Sequence, residues 1–159
     1  MAGSLSDLSP EDYAALGELR YRIRRFLHFS EAAAHQEGLE PQQHQLLLAV
    51  RALGDGGGPT IGMLADHLLV RHHSAVGLID RLEQRGFVER VRCSDDRRQV
   101  RVRLTAEGDE KLRHLSMIHR EELRGSGPSL VQALRTLLDR LKPETDGQQE
   151  EEDDVSTAQ

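Results

Sequence analysis

Arg71-His72-His73-Ser74 is the run of side chains in this chain best suited to chemistry. All four offer hydrogen-bond donors, and a guanidinium beside two imidazoles can reach phosphate oxygens or the N7 and O6 of guanine. That is chemistry of binding, not of bond-making. A second cluster, Asp96-Arg97-Arg98, pairs a carboxylate with two guanidinium groups, so that Asp96 can orient one of them by a charge-assisted bond. Covalent chemistry finds less support. No nucleophile, base and orienting group are legible together, and Gly56-Gly57-Gly58 lacks the lysine and hydroxyl of a phosphate-cradling loop and runs into Pro59. The expectation is therefore that the chain is not an enzyme and carries no cofactor.

Eight histidines raise the question of a metal. His28 and His35 stand two turns apart and His114 and His119 share a helix, but a tetrahedral site needs three or four converging donors and no compact His/Cys/Glu set is visible. No metal is expected. The single cysteine, Cys93, cannot form an internal disulfide, and at the end of a strand it reads better as a small buried hydrophobe than as an oxidant sensor. A reduced thiol, the lack of a long apolar block and the lack of a charged leader point to a cytoplasmic chain without a membrane segment.

Charge has to be placed before it can be interpreted. The formal net charge is −6, yet residues 143–159 hold seven acids and no Lys or Arg, which leaves +1 for residues 1–142. Residues 59–104 carry nine arginines against six acids, and local charge is what meets phosphate.

The elements that position these groups can be read in order. Ser9 is a suitable N-cap with Pro10 at the first helical position, and Leu16, Leu19, Ile23, Phe26 and Ser30 form one stripe of a helix ending near Gly38. A second helix is expected from Pro41 to Leu53, ended by the glycine run. Thr60 caps a short helix, Ile61 to Leu68, and Arg71 to Arg85 forms the next, stopped by Gly86. Phe87 to Cys93 and Gln99 to Leu104 alternate apolar residues with arginine, as half-buried strands do, and Ser94 to Arg98 joins them as a hairpin tip. Thr105 caps a fifth helix through about Arg124. A break is expected at Gly125-Ser126-Gly127-Pro128, followed by a sixth helix marked by Leu130, Leu134, Leu137, Leu138 and Leu141. The acidic tail cannot bury enough apolar surface to offset its ordering entropy.

Helix, turn, helix and basic hairpin in unbroken order make a winged helix-turn-helix over residues 59–104. In such a unit the second helix places its first turn on base edges in the major groove, while Arg97 and Arg98 can enter an adjacent minor groove. Gly77 and Arg81 lie on the outward face. The missing side chain at Gly77 either lets backbone approach DNA or forfeits a contact. Arg101 and Arg103 on the exposed strand face are equally well read as merely solvated.

Leu78-Ile79-Asp80-Arg81-Leu82-Glu83-Gln84-Arg85-Gly86-Phe87-Val88-Glu89-Arg90, then Asp96-Arg97-Arg98 and Leu104-Thr105-Ala106-Glu107-Gly108, resemble the MarR family of regulators over roughly residues 10–142. The resemblance implies a mainly α fold with a small β-hairpin wing. It also implies a homodimer on double-stranded, pseudo-palindromic DNA, usually a repressor released by a small ligand or by oxidation. The positions the resemblance carries over are His72, His73, Ser74, Val76 and Gly77 in the helix and Asp96 and Arg98 in the wing; with Arg71, Arg81 and Arg97 from their placement, the expected DNA-binding residues are Arg71, His72, His73, Ser74, Gly77, Arg81, Asp96, Arg97 and Arg98. Residues 9–38 and 105–142 would be dimerisation helices, through Leu16, Leu19, Ile23, Leu130, Leu134, Leu137, Leu138 and Leu141. Residues 39–104 would be the DNA-binding lobe, 1–8 a flexible start and 143–159 a disordered acidic tail. Family members often carry polar or basic side chains where this chain has Val76 and Gly77, which moves the expected reading toward the first turn, Arg71 to Ser74. An effector pocket between dimer helices and lobe is expected at Phe26, Phe29, Leu39 and Leu47. The alternatives are a winged helix that binds proteins, and a metal- or oxidation-sensing regulator of the same kind.

Overall fold

The computed structural model describes residues 8–54, 57–92 and 99–142. Its first helix, α1 (Pro10–Gln36), begins in a reciprocal cap: the Asp12 amide donates to Ser9 Oγ at 3.2 Å and the Ser9 amide donates to the Asp12 carboxylate at 2.9 Å. Two orphan amides are satisfied at once. Helix α2 (Pro41–Ala52) follows, with Gln43 reaching back to accept from the Glu40 amide. Helix α3 (Ile61–His67) is capped by Thr60, and α4 (His72–Gln84) starts after a turn in which Leu69 takes a left-handed φ of 54°. Strands β1 (Val88–Arg92) and β2 (Val100–Leu104) pair antiparallel, Val88 opposite Leu104 and Arg92 opposite Val100. This is a mainly α fold with a two-stranded hairpin.

The sixth helix does not exist as a separate element. Helix α5 runs without interruption from Ala106 to Arg140, with Pro128 inside it. A proline there removes the amide that would bond the Arg124 carbonyl and costs about 3 kcal/mol on propensity alone. Packing overrides it. Helix α1 lies antiparallel along α5, tied by Arg140 to Asp12 (2.6 Å) at one end, His119 to Ser30 (2.7 Å) in the middle and Lys111 to Glu37 (3.2 Å) at the other. Ala15 and Ala133 are buried, and the Ser126 hydroxyl donates to the Glu122 carbonyl one turn before the proline.

The core is assembled from α2, α3, α4, the hairpin and the first turns of α5. Leu39, Leu46, Leu47, Leu64, Ile79, Leu82, Val88, Val102 and Leu115 are all buried in it. At roughly 1.5–3 kcal/mol for each fully buried aliphatic side chain, this cluster dominates the lobe's stability. The Thr105-to-Gly108 segment locks α5 onto it. Thr105 Oγ donates to the Gly86 carbonyl at 2.6 Å and accepts from the Gly108 amide, while a Cβ on Gly108 would stand 1.9 Å from the Phe87 carbonyl oxygen. Only glycine fits. Among the described residues no helix is long and apolar enough to cross a membrane.

Candidate nucleic-acid interface

Helix α4 buries Ala75, Leu78, Ile79 and Leu82 against the lobe, which turns His73, Gly77 and Arg81 outward at four-residue spacing. Val76 is only half-buried. Arg71 sits at the N-cap position instead of inside the helix, and no side chain caps the first-turn amides. Arg71, His72, His73 and Ser74 are all exposed. None of their side chains, nor that of Arg81, makes a hydrogen bond or ion pair with another described residue. Open amides, the positive end of the helix dipole and an unpaired guanidinium therefore share one surface, which suits a phosphate. Gly77 is not required by the fold, because an added Cβ would meet only the Arg81 guanidinium at 3.6 Å.

The remaining arginines of the lobe divide differently. Arg90 on β1 reaches back to α4, bonding Asp80 at 2.5 Å and the Glu83 carboxylate, whose other oxygen accepts from the Arg90 amide at 3.0 Å. This fixes the hairpin's tilt against the helix. Arg85 donates to Gln43 and stacks on the Phe87 ring at 4.9 Å. Arg101 donates to the Gly58 carbonyl at 2.8 Å and Arg103 to the Gly57 carbonyl at 2.7 Å. Both strand arginines are thus anchored to the loop before α3, a role that strand alternation did not reveal. Gly58 makes this approach possible with φ of 102° and a Cβ position 2.4 Å from the Val102 carbonyl oxygen. Asp96, Arg97 and Arg98, together with Cys93, lie outside the described residues.

A cleft of about 690 Å³ opens between α1, α2 and α5, lined by Phe26, Leu27, Ser30, His44, Gln45, Leu48, Ser116, His119, Arg120, Leu123 and Arg124. Of the expected pocket residues Phe26 lines it. Leu39, in the turn before α2, and Leu47, on α2, do not: both are in the lobe core, 1% and 0% exposed. Phe29 turns to another face of α1, beside Tyr21, Arg25 and His28. Residues that sequence reasoning passed over, Leu27, Leu48 and Leu123, form the apolar wall. His44 and His119 meet at its inner side, ring centroids 4.8 Å apart. His28 and His35 are exposed on α1, and among the described residues no group of three or more His, Cys, Asp or Glu could hold a metal.

Known proteins share this arrangement. A family model described as the MarR family matches residues 37–99, which span α2, α3, α4 and β1. Over that stretch the chain is similar to the MarR family. A Bacillus subtilis relative described as the uncharacterized HTH-type transcriptional regulator YsmB is 33% identical over 90 residues, 57% of this chain and 60% of its own length. The HTH-type transcriptional regulator FarR of Neisseria gonorrhoeae is 32% identical over 76 residues, 48% of this chain and 50% of its own. The chain thus spans only half to three-fifths of the curated relatives it matches. Among solved structures, a mutant of S. aureus MepR bound to oligodeoxyribonucleotide superposes with a TM-score of 0.61 at 19% identity, covering 86% of this chain and 100% of that one. NadR in complex with 4-hydroxyphenylacetate superposes at 0.60 and 23% identity, covering 87% and 94%. These structural likenesses establish the winged-helix fold of the chain.

Proposed function

We propose that this protein is a sequence-specific transcription regulator of the MarR family that binds double-stranded DNA as a homodimer, acting as a repressor released by a small molecule. The observation that carries the reading is the contrast among its arginines. Arg85, Arg90, Arg101 and Arg103 are engaged inside the lobe, whereas Arg71 and the first turn of α4 stand open with no partner among the described residues. Recognition then rests on Arg71, His72, His73 and Ser74 in the major groove, with Gly77 and Arg81 beside them. The wing residues Asp96, Arg97 and Arg98 would reach the adjacent minor groove.

Dimerisation draws support from the helix pair. Leu16, Ile23, Leu134, Leu138 and Leu141 are each more than 40% exposed along α1 and the end of α5, and Leu19, Leu130 and Leu137 are half-buried beside them. A stripe of that size on a soluble protein fits a partner surface. Residues 9–38 and 105–142 would form that interface and 39–104 the reading lobe. The cleft lined by Phe26 supports the effector, and NadR's complex with 4-hydroxyphenylacetate offers a first molecule to try. A cytoplasmic setting accompanies the reading.

The test is duplex binding by the full chain across a salt series. Log affinity should fall steeply and linearly with log salt, and Arg71→Glu should weaken binding at every salt concentration and flatten the slope by about one phosphate contact or more. A salt-insensitive interaction, or an Arg71→Glu variant that binds as wild type, would overturn the assignment.

A further inference from the structure

The cleft holds a polar group that the fold leaves without a partner. His44, on α2, is only 5% exposed and its ring makes no hydrogen bond with any described residue, although its nitrogens are not sealed off, since the residue lines the cleft. Its neighbour shows the contrast. His119 Nδ1 lies 2.6 Å from the Leu115 carbonyl oxygen, which can only accept, so Nδ1 carries the proton and donates; Nε2, 2.7 Å from Ser30 Oγ, then accepts from the hydroxyl in the neutral ring. Both ring nitrogens of His119 thus have partners, whereas His44 packs against that ring with nothing to bond.

The surroundings state what would bond to it. From α5 the cleft receives His119, Arg120 and Arg124; its lining residues from α1 and α2, apart from His44 itself, carry no titratable group, and no carboxylate lines it. Arg124 is held by Glu121 at 3.0 Å, while Arg120 makes no hydrogen bond or ion pair with a described residue. With these cations the cleft is lined by Phe26, Leu27 and Leu48 from α1 and α2 and by Leu123 from α5, the three leucines each more than 40% exposed. An apolar body and a negatively charged head fit together here, in a volume suited to a small organic molecule.

We propose that the cleft binds an amphiphilic organic anion and that His44 takes up one proton from solvent as it does so. This rests on the effector reading of the same cleft. In the unliganded protein, burial and then the neighbouring His119 push the His44 pKa down to about 4, because a charge on that ring would be desolvated and unpaired. An anion within hydrogen-bond reach pairs with that charge and offsets both penalties. The bound state therefore holds more protons than the free state between pH 4 and the raised pKa, and affinity must rise as pH falls through that window.

The probe is 1-octanesulfonate, whose own head stays ionised throughout, compared with 1-octanol and octylamine by calorimetry on the full chain without DNA. Octanesulfonate should bind better than either. Its affinity should rise by up to about tenfold per pH unit between pH 7 and 5, and titrations in two buffers of different ionisation enthalpy should report uptake approaching one proton per chain. His44→Gln should abolish the uptake, and Arg120→Ala should weaken the sulfonate without affecting octanol. Octanol binding as tightly as octanesulfonate, absence of any sulfonate binding, zero proton uptake in the wild-type protein, or uptake persisting in His44→Gln would each overturn the proposal. Because no DNA is present, its failure leaves the duplex-binding result untouched, and the converse holds as well.

Discussion

In the lobe between Leu39 and Leu104 the large apolar side chains are buried or half-buried except Leu48, Met63 and Leu69; along α1 and the second half of α5 a comparable set lies on the surface. Leu46, Leu64, Ile79, Leu82 and Val102 have no exposed area, whereas Leu16, Ile23, Leu134, Leu138 and Leu141 keep between 42% and 64% of theirs. Helical amphipathicity is similar in kind in both regions, but one chain closes the first and not the second. The lobe is complete as a monomer. On the proposed reading, the helix pair is finished by a second copy of the chain.

Breaking that second surface should have the largest effect. Leu134→Glu combined with Leu138→Glu sets carboxylates into the proposed interface, and sedimentation should show a folded monomer. Because two linked half-site contacts become one, affinity for a two-half-site duplex should fall by roughly 10²–10⁴. A variant that sediments as the wild type would remove the stripe from the account.

Two glycines of α5 sharpen the contrast. Gly108 abuts the Phe87 carbonyl, while a Cβ at Gly125 would meet nothing within 4 Å. Gly108→Ala should therefore lower stability toward urea by about 3 kcal/mol through forced backbone displacement. Gly125→Ala should raise it by about 0.5–1 kcal/mol through helix propensity. Equal effects at the two sites would contradict the difference in packing.

His44 stands where the two regions meet, and its depressed pKa gives the junction a pH dependence. An unfolded chain protonates this imidazole below about 6.5 while the folded one resists until about 4. Stability is thus fully present above pH 6.5 and is lost as pH falls through the interval, by roughly 2–3 kcal/mol at its lower end. His44→Gln should flatten that part of the stability profile, measured by urea unfolding from pH 7 to 4; an unchanged slope would assign the loss to other groups.

The smallest effect is expected on the open face of α4. Since the fold tolerates a Cβ at Gly77, Gly77→Ala should stabilise the protein by about 0.5–1 kcal/mol. Its effect on duplex affinity separates the two readings of this position: a loss indicates close backbone approach to DNA, and no change indicates a forfeited contact.

Much of this was legible in the sequence because it is local. Ser9, Thr60 and Thr105 cap the helices they were read to cap, and the order helix, turn, helix, hairpin follows from short-range periodicity and turn residues. What escaped is set by distant parts of the chain. The run Gly125 to Pro128 favours a break on propensity, and only the length of α1 packed beside it keeps α5 whole. Leu46, Leu47 and Leu48 are identical letters in a row, yet two are buried and the third, 48% exposed, walls the cleft, because the rotation of α2 is fixed by the lobe as a whole. Strand alternation identified Arg101 and Arg103 as outward-facing but gave no hint that the Gly57 and Gly58 carbonyls wait above them.

On the proposed reading, two copies of this chain present the first turn of α4 to one DNA duplex. Selection of bound fragments from random duplex DNA by the full-length protein tests it directly. The account predicts enrichment of an inverted repeat whose half-sites are centred about one helical turn, roughly 10 base pairs, apart, and loss of that enrichment in Arg71→Glu. Failure to enrich any sequence, or enrichment of a single unrepeated site by a protein that sediments as a monomer, would contradict it.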